Sequence, residues 1–183
     1  MTGGVWALHP DVRSQVYGQA HADMILGMPH TDDLEYRLRY SEEMVRLSEL
    51  PGADRLIQTN AFHGLAYAVW DGGDFDRAEG LNRAAGRAAL ETGDTVNSGL
   101  ALLQGATFAG RRGDVVRAAT LFGAGDAHLV MHKAPFMNRG YDPAIEAAKA
   151  TLGAGRYEEL YDRGAKMSVT AATELLLEPV TPG

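Results

Sequence analysis

The chain contains no cysteine, which excludes disulfide bridges and thiolate metal sites and permits a reducing compartment. It has no apolar run of membrane-spanning length, and its first residues, Met1-Thr-Gly-Gly-Val-Trp, lack the basic start and apolar stretch of a signal peptide. A cytoplasmic location is therefore expected. Positive charge is scarce: 17 Lys and Arg stand against 24 Asp and Glu, a formal net charge of −7. Such a field repels polyphosphate, so neither direct nucleic-acid binding by this segment nor binding to acidic membranes is expected. Period-two alternation is almost missing, which leaves little for strands. No Gly-x4-Gly-Lys-Ser/Thr string is present to cradle phosphates, and no cofactor is expected.

What the chain does have is a repeated phrase. Gly73-Asp74-Phe75-Asp76-Arg77-Ala78 returns forty residues later as Gly113-Asp114-Val115-Val116-Arg117-Ala118. Self-similarity at such a period marks stacked helical hairpins, because one hairpin cannot bury its apolar face until a neighbour covers it. The 45% hydrophobic and 22% charged composition of 183 residues suits one soluble domain with a sizeable core.

Helical stretches separated by Gly, Pro or Asp run the length of the sequence. A first helix is predicted from about Pro10 to Leu26, stopped by Gly27-Met28-Pro29. A second, Leu34 to Leu50, is capped by Thr31 or Asp32 and broken by Pro51-Gly52. Asp54 to Asp71 opens a hairpin that turns at Gly72-Gly73, with Asp74 capping the return helix. Thr95 to Arg111 opens the next, with Asp114 capping a helix that continues toward Lys133. The alanines Ala78 and Ala118 let helix axes approach to roughly 8–10 Å. Gly155-Arg156-Tyr157 reads as a degraded third copy of the motif. The expected architecture is all-α, with about seven or eight helices. It forms one domain over roughly 1–178, with hairpins near 10–50, 54–92, 95–133 and 141–178 and a flexible tail at 179–183.

With Gly73 as the turn glycine, Phe62, Leu65, Ala66, Val69, Phe75, Ala78 and Ala85 fall on the small and large packing positions of the tetratricopeptide family, which the chain resembles. The next copy offers Leu102, Gly105, Ala106, Ala109, Val115, Ala118, Phe122 and Gly125, which departs toward small residues. The last third contains Arg117-Ala-Ala-Thr-Leu-Phe-Gly-Ala-Gly-Asp-Ala-His, Ala134-Pro135, the alanine-rich stretch before Leu152-Gly153, and Ser168-Val-Thr-Ala-Ala-Thr-Glu-Leu-Leu-Leu. It is similar to the carboxy-terminal helical domain of actinobacterial transcriptional regulators of the LuxR type that carry an ATPase module. The resemblance implies a right-handed superhelix and a sensor or interaction role, with ATPase and DNA-binding parts supplied elsewhere.

In the tetratricopeptide register, Asn60, His63, Tyr67, Trp70 and Asp71 line the inner groove on the first helix of a hairpin, joined by Arg111 from the next. Amide, imidazole and two amphipathic rings make a composition suited to binding hot spots. A competing reading packs Tyr67 and Trp70 against the preceding hairpin. Arg111, Arg112 and Arg117 offer a contact to an acidic ligand, or else form a solvated face. His128 and His132, four apart on one predicted helix, have the spacing of two ligands to one metal, but Leu129 stands where His-Glu-x-x-His needs glutamate. An interfacial histidine pair is the expected reading, and no metal site is assigned. The carboxylates of Asp71 to Asp76 do not match a calcium loop, whose sixth and twelfth places here are Asp76 and Asn82. Ser98 lies outside any nucleophile elbow. Gly123-Ala-Gly125 and Gly153-Ala-Gly155 lack a third glycine and a preceding strand, and read as packing or turn glycines.

The function these residues point to is non-catalytic: a module holding a protein, peptide or small effector in a concave groove, as part of a transcriptional regulator. A free-standing adaptor is the alternative, and a metal-dependent hydrolase built on His128 and His132 a more distant one. Leu175-Leu176-Leu177 is apolar for a terminal unit, which allows a homodimer in which a second copy covers it.

Overall fold

The computed structural model describes residues 33–50, 55–129 and 142–178, and within them every element is a helix. In chain order these are α1 (Leu34–Ser48), α2 (Arg55–Asp71), α3 (Phe75–Thr92), α4 (Thr95–Arg111), α5 (Val115–His128), α6 (Asp142–Leu152), α7 (Ala154–Ala165) and α8 (Val169–Leu177). The all-α expectation holds. The predicted Pro10–Leu26 helix lies outside the described residues.

One turn is used three times. Gly73, Gly93 and Gly113 all have positive φ, at 88°, 69° and 85°, a region that penalises any Cβ. Behind each glycine the next amide reaches back to a helix carbonyl: Asp74 N to Val69 O, Asp94 N to Ala89 O and Asp114 N to Ala109 O. This is the Schellman closure, which satisfies carbonyls that a helix end leaves orphaned. Each aspartate then accepts from the amide three residues on: Arg77 N at 3.2 Å, Asn97 N at 3.0 Å and Arg117 N at 3.1 Å. The forty-residue repeat is thus two copies of a twenty-residue step in which the same dipeptide ends one helix and starts the next.

Successive helices from α1 to α5 pack side by side, and α2 also touches α4. α7 lies on α5, α6 contacts α4, α5 and α7, and α8 folds back onto α3, α4 and α5. The tetratricopeptide-like positions Leu65, Ala66, Val69, Ala78 and Ala85 are buried, Phe62 is half-buried, and Phe75 is 45% exposed. The main core joins Leu102, Leu121, Phe122 and Leu129 with alanines of α4, α5, α6 and α8. Glycine permits the tightest crossing: a Cβ on Gly123 would lie 2.0 Å from Tyr161 O, and one on Gly164 would lie 1.9 Å from Thr120 O. α5 and α7 therefore meet backbone to backbone. This bears out the packing reading of Gly123 and, with Leu103 against it, of Gly125.

Three boundaries differ from expectation. α1 is capped by Asp33, which accepts from Tyr36 N at 3.0 Å, and not by Thr31 or Asp32. α5 does not run toward Lys133: it ends at His128, and Leu129 (φ −96°, ψ 89°) leaves the helix. Leu129 is completely buried, with its backbone against Gly99, where any side chain on α4 would collide. The 141–178 stretch is three helices instead of one hairpin, and the turn before α7 falls at Gly153 (φ 77°), leaving Gly155 exposed inside α7. Ala154 follows Gly153, so this copy has no aspartate and no side-chain cap.

Candidate functional site

Three of the six predicted groove residues form a layer between the hairpins. Asn60, His63 and Trp70 on α2 are only 6%, 7% and 6% exposed. Trp70 stacks on Phe108 of α4, centroids 4.1 Å apart and planes 7° from parallel, and meets Phe75 at 4.5 Å. The Arg111 guanidinium stands 5.1 Å from the Trp70 centroid, a cation–π contact. The Trp70 indole N–H is buried with no acceptor among the described residues. Trp70 packs between hairpins, but its ring contacts lie on the following hairpin, where the competing reading names the preceding one.

His63 lies deeper still. Its Nδ1 is 3.0 Å from Gln104 Oε1, and its Nε2 is 3.2 Å from the carbonyl of Asn97. Burial lowers the His63 pKa, outweighing the bonds to Gln104 and Asn97 and the nearby Asp94 charge, which favour the proton. The ring is therefore neutral, with a single N–H. The carbonyl can only accept, so Nε2–H donates to Asn97 O and Nδ1 must accept. Gln104 supplies that donor when its amide is turned, which also employs the Gln104 nitrogen otherwise without a partner. Asn97 is held in turn by its side-chain nitrogen on Asp94, at 2.6 Å. A polar relay thus runs from α2 to the α4 cap.

The remaining groove residues form an accessible rim. Tyr67 is 36% exposed, Arg111 is exposed, and Asp71 accepts from Arg37 of α1 at 2.7 Å. Arg112 is engaged by Glu79 at 2.6 Å and by Asp76, and Arg117 is drawn into α8. Of the three arginines weighed for an acidic ligand, Arg111 is the one on this face. The carboxylates of the first turn diverge: Asp71 faces Arg37, Asp74 caps α3, and Asp76 meets Arg112.

At the far end His128 Nε2 donates to Met167 O at 3.0 Å, and His132 lies outside the described residues. No group of three or more His, Asp or Glu able to hold a metal occurs among the described residues. Tyr161 donates to the Asp126 carboxylate; burial first, then that bond, raises its pKa, so the phenol stays protonated and serves as an anchor.

Sequence reasoning missed Gln104 and Asn97. Their signal lies in the spacing: two amides seven residues apart on one helix share a face. It also missed the task of Arg117, whose place in the motif matches that of Arg77. No helix among the described residues is long and apolar enough to cross a membrane. Compared with family models, with curated proteins and with solved structures, the chain finds no match.

Proposed function

We propose that this chain is a non-catalytic binding module, a tetratricopeptide-like right-handed superhelix that serves as the sensor or interaction segment of a cytoplasmic bacterial transcriptional regulator. The observation that supports it best is the side-by-side placement of α2 and α4. These are the opening helices of two hairpins built on one turn motif, clasped by Trp70 on Phe108 and by His63 on Gln104. A ligand touching both helices acts on that clasp. Tyr67, Asp71 and Arg111 make the contact, while Asn60, His63 and Trp70 form the layer beneath that transmits it. A protein, peptide or effector bearing an acidic group meets Arg111 and stacks on Tyr67. It shifts the array toward whichever hairpin angle it binds better, and by no more than that difference in affinity. A free-standing adaptor would use the same face.

The test compares proteins retained by the immobilised full chain with those retained by Tyr67→Ala/Arg111→Ala. Loss of a specific ligand at unchanged melting temperature supports the reading. A ligand bound equally by both overturns it.

A further inference from the structure

Where α3, α4 and α5 meet the last turn of α8, they leave a small open cleft of about 280 Å³, counting the solvent at its mouth. That is below the roughly 300–1,000 Å³ of pockets for drug-sized ligands, so only a molecule of a few heavy atoms fits. Its apolar part is well packed: Phe108 and Leu121 are 2% and 1% exposed, and Leu176 of α8 closes one side. Phe108 is also the ring on which Trp70 stacks, so the cleft abuts the α2–α4 clasp.

The polar lining comes chiefly from α3. Glu79, Asn82 and Arg83 share one face of that helix and all line the cleft. Asn82 is 1% exposed, and its Nδ2 donates to Ala101 O at 3.0 Å. A carbonyl can only accept, so this bond fixes the amide's orientation and leaves Oδ1 buried with no donor. Glu79 gives one oxygen to Arg112 at 2.6 Å, while its Oε2 has Arg83 at 3.5 Å. That long contact is the only ion pair of Arg83 among the described residues. Arg117, on α5, is already committed: its Nη2 donates to Leu175 O at 2.6 Å and to Glu178 O at 3.0 Å. The cleft therefore combines a buried acceptor lacking a donor, a loosely paired carboxylate oxygen and an under-used guanidinium. A simple anion would leave Asn82 unsatisfied and face Glu79, and a simple cation would meet Arg83. A molecule with an ammonium and a carboxylate on one carbon suits all three groups.

We propose that this cleft binds a small free α-amino acid. Its ammonium donates to Asn82 Oδ1 and Glu79 Oε2, its carboxylate accepts from Arg83, and its short side chain lies on Phe108 and Leu121. Arg83 gives up its long contact with Glu79 to make the new one. The site is separate from the Tyr67–Arg111 rim and does not need that rim to bind anything, so either can fail alone.

The test titrates L-alanine, L-serine and L-valine into the full chain by isothermal titration calorimetry. At least one is expected to saturate a single site with a Kd of roughly millimolar or tighter, within reach of so few atoms. Propionate and isopropylamine, each carrying one half of the zwitterion, should bind at least about ten-fold more weakly, since each forfeits a charge-assisted bond. Arg83→Ala, at a half-exposed position, should weaken the amino acid by about ten-fold or more, and Asn82→Ala by a similar factor. Tyr67→Ala/Arg111→Ala should bind it as the wild type does, which separates this site from the rim. Should Asn82→Ala unfold the chain, Arg83→Ala decides. No saturable heat from any of the three amino acids up to about 50 mM overturns the proposal, and so does wild-type affinity in Arg83→Ala.

Discussion

Arg77 and Arg117 occupy the same place in two copies of one motif and live in different surroundings. Both follow a Gly-Asp turn, and both donate their amide to its aspartate. Arg77 then reaches out to Glu42 with its side chain 47% exposed, whereas Arg117 is 9% exposed and clamps the end of α8. The contrast continues along the helix. Three residues later Gly80 has nothing within 4 Å, while its counterpart Thr120 lies under Gly164 of α7. Arg83 pairs with Glu79 near the surface, while its counterpart Gly123 touches the Tyr161 backbone. The motif fixes backbone, turn and cap. What lands on the helix afterwards decides whether the same position is solvent or core.

That contrast can be broken most sharply at the α5–α7 crossing. Gly164→Ala forces a methyl onto the Thr120 carbonyl and is expected to cost about 3 kcal/mol in chemical denaturation; a loss below about 0.5 kcal/mol would mean the two backbones do not meet. Next in size is Arg117→Ala. It removes charge-assisted bonds to two carbonyls and should cost about 2 kcal/mol, whereas Arg77→Ala, with an exposed ion pair, should change stability by less than about 0.5 kcal/mol. Equal losses at the two arginines would erase the distinction between the copies.

His63 provides a graded probe. Its pKa is lowered on folding, so the unfolded chain binds more protons at acid pH. Its contribution is complete well above the ordinary value of 6.5 and is lost as pH falls below it. The slope is at most about 1.4 kcal/mol per pH unit. In His63→Gln that part of the slope should vanish, and denaturation midpoints at pH 7.5 and 5.5 measure it. One effect has the opposite sign: Gly80→Ala, on the open side of α3, should stabilise by about 0.5–1 kcal/mol, as a raised melting temperature would register.

The starts of α3 and α5 were legible because Gly-Asp is at once a stop and a start signal, and the repeat drew attention to it. The same dipeptide at Gly93-Asp94 is less conspicuous, since no Arg-Ala follows it to complete the phrase. The end of α5 was hidden because Leu129 continues an apolar pattern, and what removes it from the helix is Gly99, distant in sequence. The α6–α8 region reads as one hairpin in the sequence because Gly153 lacks the following aspartate that marks the other turns. At the candidate site the six residues were named on one helical register, but sequence could not assign their depth. Histidine, asparagine and tryptophan suit a wet groove or a satisfied interior equally, and Gln104 and Phe108 on the neighbouring helix decide between the two. Tyr67, Asp71 and Arg111 remain at the surface, so the accessible part of the site is smaller than the stripe.

The recurring Gly-Asp junction also makes the array extensible. The segment from Asp74 to Gly113 begins and ends on the same dipeptide boundary, so duplicating it in tandem, or excising it, regenerates an intact stop-and-start seam at every splice. A gene encoding this chain could lengthen or shorten the protein by whole hairpins without inventing a single new corner.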